Sequence, residues 1–199
     1  MKRTVFALVL AVFCLQMAYG WRILYAEQYY KLFHEHFYRY PDDTMENIRY
    51  LEEALKADFA NPLYALATIK DKTEWERYRY LFTMHVNLRL IYLYLTLGSK
   101  YDKQVAYFYN APWKRQNLES LETAEQVYRV AYGYWEQARD WSAKAWAMRS
   151  VYLNEVQQWS DESFRIQTGD LDYGEILDEQ LARLEKVRQT FQSMDQNTY

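Results

Sequence analysis

The stretch Leu118–Thr168, LESLETAEQVYRVAYGYWEQARDWSAKAWAMRSVYLNEVQQWSDESFRIQT, decides the fold. Only Gly133 interrupts it, it holds no proline, and its apolar and aromatic side chains recur at spacings of three and four. That is the period of a helix, not the two-residue alternation of a half-buried strand. A single helix of this length would reach about 75 Å, too long for a compact domain, so breaks are expected near Arg139–Ser142 and Trp159–Ser160. Gly133 then suits a close approach between helices. The whole chain shares this character, with 5 Gly and 3 Pro among 199 residues. Average usage would give about 24. Folds built on many tight turns or on glycine loops that cradle phosphate are excluded on that ground. The 21 Tyr, 7 Trp and 9 Phe exclude disorder, because disordered chains are poor in aromatics.

Working outward, Trp21–Tyr40 reads as a helix with a face of Leu24, Gln28, Tyr29, Leu32, Phe33, His36, Phe37 and Tyr40. Pro41 stops it, and Asp43 with Glu46 has the spacing of a capping box. The next helix spans Thr44 to Ala57 on a stripe of Met45, Ile48, Leu51, Ala54 and Leu55, and Asn61-Pro62 closes it. Thr73 and Glu76 give a second capping spacing ahead of the central helix. Its face is Trp75, Tyr78, Phe82, His85, Leu88, Tyr92 and Leu95, widened later by Leu90, Ile91, Leu93 and Leu97. Gly98-Ser99 is expected to end it. A short helix from Asp102 to Tyr109 follows, and Pro112 breaks the chain again. Gly169-Asp170 makes the last turn, and Asp172 with Glu175 caps a final helix striped by Ile176, Leu177, Leu181, Leu184, Val187, Phe191 and Met194.

The first 20 residues read as a secretory signal peptide: basic Lys2 and Arg3, an apolar run from Val5 to Leu15, and small residues at Ala18 and Gly20. Cleavage is expected before Trp21, which places the mature chain in the periplasm or outside the cell; an uncleaved membrane anchor is the alternative. The domain plan is a signal peptide over 1–20, one helical domain over 21–195 and a fraying end over 196–199. Cys14, the only cysteine, lies inside the signal, so the mature chain holds neither a cysteine nucleophile nor a thiolate metal site. Without Lys2 and Arg3, 22 basic residues face 27 acidic ones, a balance that disfavours nucleic acid.

The segment Asp43–Asp58 with Asn61-Pro62 resembles the second helix and closing turn of a tetratricopeptide repeat, through Ile48, Tyr50, Ala54, Leu55 and Asp58. Leu95–Asp102, with Phe108 and Ala111-Pro112, is similar to the turn inside such a repeat. Gly133, Trp135, Ala138, Trp141 and Ala145 have the spacing of its second helix. Gln104 stands where the family has a small alanine, and Asp42 where it has a glycine. The resemblance implies an all-α fold, with antiparallel helical hairpins stacked in a tetratricopeptide-like array and a C-terminal capping helix, and a concave face that binds peptides or proteins. The overall character of the chain also resembles exported repeat proteins of spirochaetes that scaffold periplasmic flagellar assemblies.

Catalytic constellations are weak. In His34-Glu35-His36 the two imidazoles sit two residues apart, about 200° around a helix, whereas a helical zinc pair needs a spacing of four. Glu162-Ser163-Phe164 resembles the Glu-Ser pair of lytic transglycosylases without that family's spacing or its glycine motif, and Glu162 reads as part of a solvated helix start. No enzyme, metal or cofactor is expected. Tyr128, Tyr132, Tyr134, Trp135, Trp141, Trp146, Tyr152 and Trp159 exceed what one helix face can hide. Tyr134 and Trp146 look surplus to the stripe of Tyr128, Tyr132, Trp135 and Trp141. Tyr, Trp and Arg dominate binding hot spots, so Arg129, Tyr134, Arg139, Trp146 and Arg149 form the expected partner-binding set. The expected function is an exported protein-interaction or scaffold module of the bacterial envelope, with a protein or peptide partner and peripheral membrane contact allowed. The alternative is an envelope small-ligand binder or enzyme for glycan or peptide with an aromatic-lined cleft.

Overall fold

The computed structural model describes residues 23–102 and 113–195. The signal peptide, the helix expected to run on from Asp102 to Tyr109, Pro112 and the expected frayed end fall outside the described residues, wholly or almost so. The fold is all-α, with six α-helices among the described residues: α1 (Ala26–Arg39), α2 (Thr44–Lys56), α3 (Lys72–Tyr101), α4 (Lys114–Ala147), α5 (Gln157–Thr168) and α6 (Tyr173–Ser193). None of them is long and apolar enough to cross a membrane.

Short polar side chains start the helices. The Asp43 carboxylate accepts from Glu46 N at 3.4 Å, and Asp172 accepts from Gly174 N and Glu175 N at 2.8 and 3.2 Å. Such caps satisfy backbone N–H groups that have no partner within the helix. For α3 the cap is Asp71, which accepts from Thr73 N and Glu74 N at 2.8 Å each, so the cap lies two residues before the expected Thr73–Glu76 box. Gly169 ends α5 at φ 83°, the left-handed conformation that glycine adopts without steric cost.

The centre of the molecule is the antiparallel pair α3 and α4, about 45 and 51 Å long. Tyr80 lies against Trp141 at 5.6 Å, and Tyr94 stacks on Tyr134 at 5.4 Å. Near its end Gly98 faces the Tyr128 ring. Leu81, Leu90, Ile91 and Leu93 are fully buried in α3, and each contributes roughly 1.5–3 kcal/mol of apolar transfer. The α1–α2 hairpin packs on α3, while α5 and α6 pack mainly on α4, with α5 also touching α3.

The structure corrects several expectations. The 34-residue α4 runs unbroken through Arg139–Ser142, because Ala131, Trp135, Ala138, Ser142 and Ala145 carry one buried stripe across that point. The break falls at 148–156, and α5 then runs straight through Trp159–Ser160. Gly98 does not end α3. It lies inside the helix, where a Cβ would come within 2.3 Å of the Tyr128 ring. Gly133 is no packing glycine, since a Cβ there would meet nothing within 4 Å; Gly174 is one, because a Cβ would approach Trp135 Nε1 to 2.9 Å. In α1 the buried residues are Ala26, Glu27, Tyr30 and Phe33, so the inward face is turned from the expected one. Met45, Tyr92 and Ile176, assigned to apolar stripes, are exposed.

Candidate functional site

At its C-terminal end α4 unwinds through turns in which Arg149 N donates to Trp146 O and Val151 N to Met148 O. Leu153 and Val156 then anchor the chain in the core before α5 begins. Where α4 and α5 cross, Ser142 and Ser163 are both buried and their hydroxyls lie 3.1 Å apart. Two small side chains let the helices close there. Beyond the crossing the larger Trp146 and Phe164 meet at 5.9 Å and wedge the surfaces open. The result is a pocket of about 190 Å³ whose lining includes Arg77, Trp146, Arg149, Tyr152, Ser160 and Phe164. Arg149 lies over the Trp146 ring at 5.1 Å, and Tyr152 and Phe164 are 72% and 49% exposed.

Arg77 reaches this pocket from α3 and is only 6% exposed. Its Nη2 donates to Ser160 Oγ at 3.2 Å, and its buried Nε has no partner. Among the described residues no carboxylate lies within 4.0 Å of its guanidinium. Burial lowers its pKa, with the Tyr152 phenol acting weakly the other way. Asp161 is the one acidic lining residue, and its Oδ1 accepts from Gln157 Nε2 at 2.9 Å. A buried cation without an anion is costly, which makes Arg77 the most unusual group of the site.

Of the five residues expected to bind a partner, the structure brings two together here, Trp146 and Arg149. Arg139 lines a separate, open depression of about 660 Å³ with Glu136, Asp140, Ala143, Ile166 and Gln167. Arg129 projects to solvent and pairs with Glu125 one turn back, at 2.6 Å. Tyr134 faces the other way, stacked on Tyr94, with both hydroxyls donating to Glu52 Oε1 at 2.9 and 2.7 Å. That ring is spent on joining α2, α3 and α4. Sequence reasoning missed Arg77, although Arg77, Leu81 and His85 recur at four-residue spacing, which places a charge on the buried face. Tyr152 belongs to the aromatic surplus of the sequence but not to the expected partner-binding set, and Phe164 enters the sequence reading only beside Glu162 and Ser163.

A second constellation crosses three helices. Tyr30 OH and His85 Nε2 lie 2.7 Å apart, and His85 Nδ1 is 2.6 Å from Glu162 Oε2. Trp159 stacks on the His85 ring at 5.1 Å. Burial pushes the Tyr30 phenol above its usual range. Glu162 is therefore not part of a solvated helix start: it lies mid-helix in α5 with its side chain 18% exposed and bound to His85. With His85 at 5% side-chain exposure, the chain ties α1, α3 and α5 together and opens on no cavity described above. His34 and His36 diverge, His34 lying edge-on to Tyr30 at 4.6 Å while His36 Nδ1 pairs with Asn47 Oδ1 at 3.1 Å. Among the described residues no three His, Cys, Asp or Glu side chains converge as a metal site would require.

No curated protein and no solved structure matches the chain. A family match begins at the first turn of α3 and ends just past α6, leaving the α1–α2 hairpin outside it. Residues 73–194, more than half of the chain, match a domain of unknown function, DUF8513, and the chain belongs to that family.

Proposed function

We propose that this protein is an exported protein-interaction or scaffold module of the bacterial cell envelope, supporting assembly of a periplasmic or flagellar machine and contacting its partner at the end of α4. One observation carries the reading: the pocket between α4 and α5 combines exposed rings at Tyr152 and Phe164 with the arginines Arg77 and Arg149. Aromatic and arginine side chains around a partly enclosed pocket are the composition of interface hot spots. At about 190 Å³ the pocket is smaller than the roughly 300–1,000 Å³ of small-molecule sites, so it suits a side chain of a larger partner.

The depression at Arg139 supports the second reading, an envelope small-ligand binder, because its volume of about 660 Å³ falls within that range. Its lining contains no aromatic ring, but Arg139 also borders a pocket of about 360 Å³ whose lining includes Tyr132 and Trp135, so the second reading keeps an aromatic-lined candidate. A photoreactive phenylalanine analogue placed at Tyr152 in living cells tests the choice, with the same analogue as control at exposed Glu122, about 36 Å along α4 from Trp146. A discrete protein adduct from position 152 and none from 122 supports the module. No adduct from 152, together with specific retention of glycan fragments by the purified chain, overturns it.

A further inference from the structure

We propose that the pocket between α4 and α5 receives the side-chain carboxylate of an Asp or Glu on the partner protein, with an apolar or aromatic neighbour of that residue lying on Trp146, Tyr152 and Phe164; this rests on the interaction-module reading. Arg77 is the observation that points to an anion. It is 6% exposed, lines the pocket, leaves Nε unpartnered and has no carboxylate within ion-pair distance. The buried charge at the other end of the α3–α4 pair has its counter-ion within the chain: Asp102 is held by Arg183 and Tyr128. An anion from outside gives Arg77 what the fold withholds. A guanidinium presents a planar fork matched to the two oxygens of a carboxylate, so the group it selects is specific.

The surroundings agree in charge. Arg149 adds a second cation at the rim, and the acid in the lining, Asp161, is engaged by Gln157. The pocket is therefore positive in a chain of net charge −3. The rings supply the apolar part. Trp146 and Phe164 form one wall and Tyr152 stands 72% exposed beside it, so a flat or branched side chain next to the acid covers rings that now face water. A volume of about 190 Å³ admits one such pair rather than a folded ligand.

The test uses the full chain and an array of N-acetylated, C-amidated hexapeptides. Each peptide pairs one Asp or Glu with one Trp, Phe, Tyr or Leu, beside a twin carrying Asn or Gln. Acidic members are expected to bind about tenfold tighter than their amide twins, and Arg77→Met to abolish that preference while the thermal midpoint stays level or rises. Arg149→Gln, at an exposed position outside the core, should weaken the preference several-fold and keeps the test valid if Arg77→Met does not fold. Equal binding of acid and amide twins overturns the proposal, as does an acid preference that survives both substitutions, or no binding by any member. Preference for peptides with a free C-terminus over their amidated forms overturns it in favour of a chain-end carboxylate. Failure here with the Tyr152 adduct intact removes the acidic ligand and leaves the module standing, whereas loss of the adduct removes the module itself.

Discussion

Two buried ionic centres lie at opposite ends of the α3–α4 pair, and they are built in opposite ways. At one end Asp102 is 1% exposed in its side chain and accepts from Tyr128 OH at 3.0 Å and from both terminal nitrogens of Arg183, one of them at 3.2 Å. Every partner comes from within the fold. At the other end Arg77 has one hydroxyl and no anion. Closed networks stabilise a particular arrangement, whereas an uncompensated buried charge lowers stability and persists where something outside the chain completes it. On the proposed reading, the contrast separates a joint from a receptor within one bundle.

The largest effect should come from opening the closed centre. Arg183→Met leaves the Asp102 carboxylate buried without its cation and should cost about 3 kcal/mol in urea unfolding. A loss well under 1 kcal/mol would erase the distinction between the two ends. Gly98→Ala strikes the same centre sterically. The new Cβ would sit 2.3 Å from the ring of Tyr128, so the phenol must leave Asp102. Overpacking of about 1–3 kcal/mol, offset by about 1 kcal/mol of helix propensity, predicts a net loss of about 1 kcal/mol. A stabilised variant would show that the ring can shift freely.

Acid should weaken the α4–α6 side next. Arg188 and then Arg129 hold the Glu125 carboxyl below its ordinary range. A depressed carboxylate pKa contributes stability above the unfolded value and loses it as pH falls through the folded value. Urea midpoints should therefore fall below the ordinary carboxylate pKa, and Glu125→Gln should flatten that fall. Burial raises the pKa of Glu27, so its contribution runs the other way: stability falls as pH rises from the unfolded value through the folded one. Glu27→Gln should remove that slope if Gln keeps the bond to Ala60 N. The smallest effect belongs to Arg77→Met in the isolated chain, where the unfolding free energy should hold or rise by up to about 1 kcal/mol. A clear loss of stability would make Arg77 a structural residue like Arg183.

Much of the fold was legible because it rests on local chemistry. Asp43, Asp172 and Gly169 mark helix ends by their own side chain or the lack of one, and the heart of the α6 stripe, Leu177, Leu184, Val187 and Phe191, is buried as read. What depends on the opposite helix was not legible. The expected break near Arg139 came from a length argument, but α4 is covered first by α3 and then by α5, so it has no need to stop. Gly98 rather than Gly133 is the packing glycine, because only the facing ring tells a socket from an open position. Tyr134 and Trp146 look alike in sequence, yet Glu52 and Tyr94 claim the first while the second meets Phe164 at a rim. The candidate site was half readable for the same reason: Trp146 and Arg149 lie three residues apart, at the end of α4 and in the turn after it, whereas Arg77 comes from a different helix.

The glycines have a further effect on how α4 can move. Tyr128 sits over Gly98 of α3, and Trp135 over Gly174 of α6, two turns apart on one face of α4. Each ring needs a glycine beneath it, and a slip of one turn, about 5.4 Å, would set both against residues that carry side chains. The helix has a single register. A partner held at its far end cannot ratchet α4 along its axis. Any message from that end must travel by tilting α5 or by fraying the last turn near Ala147.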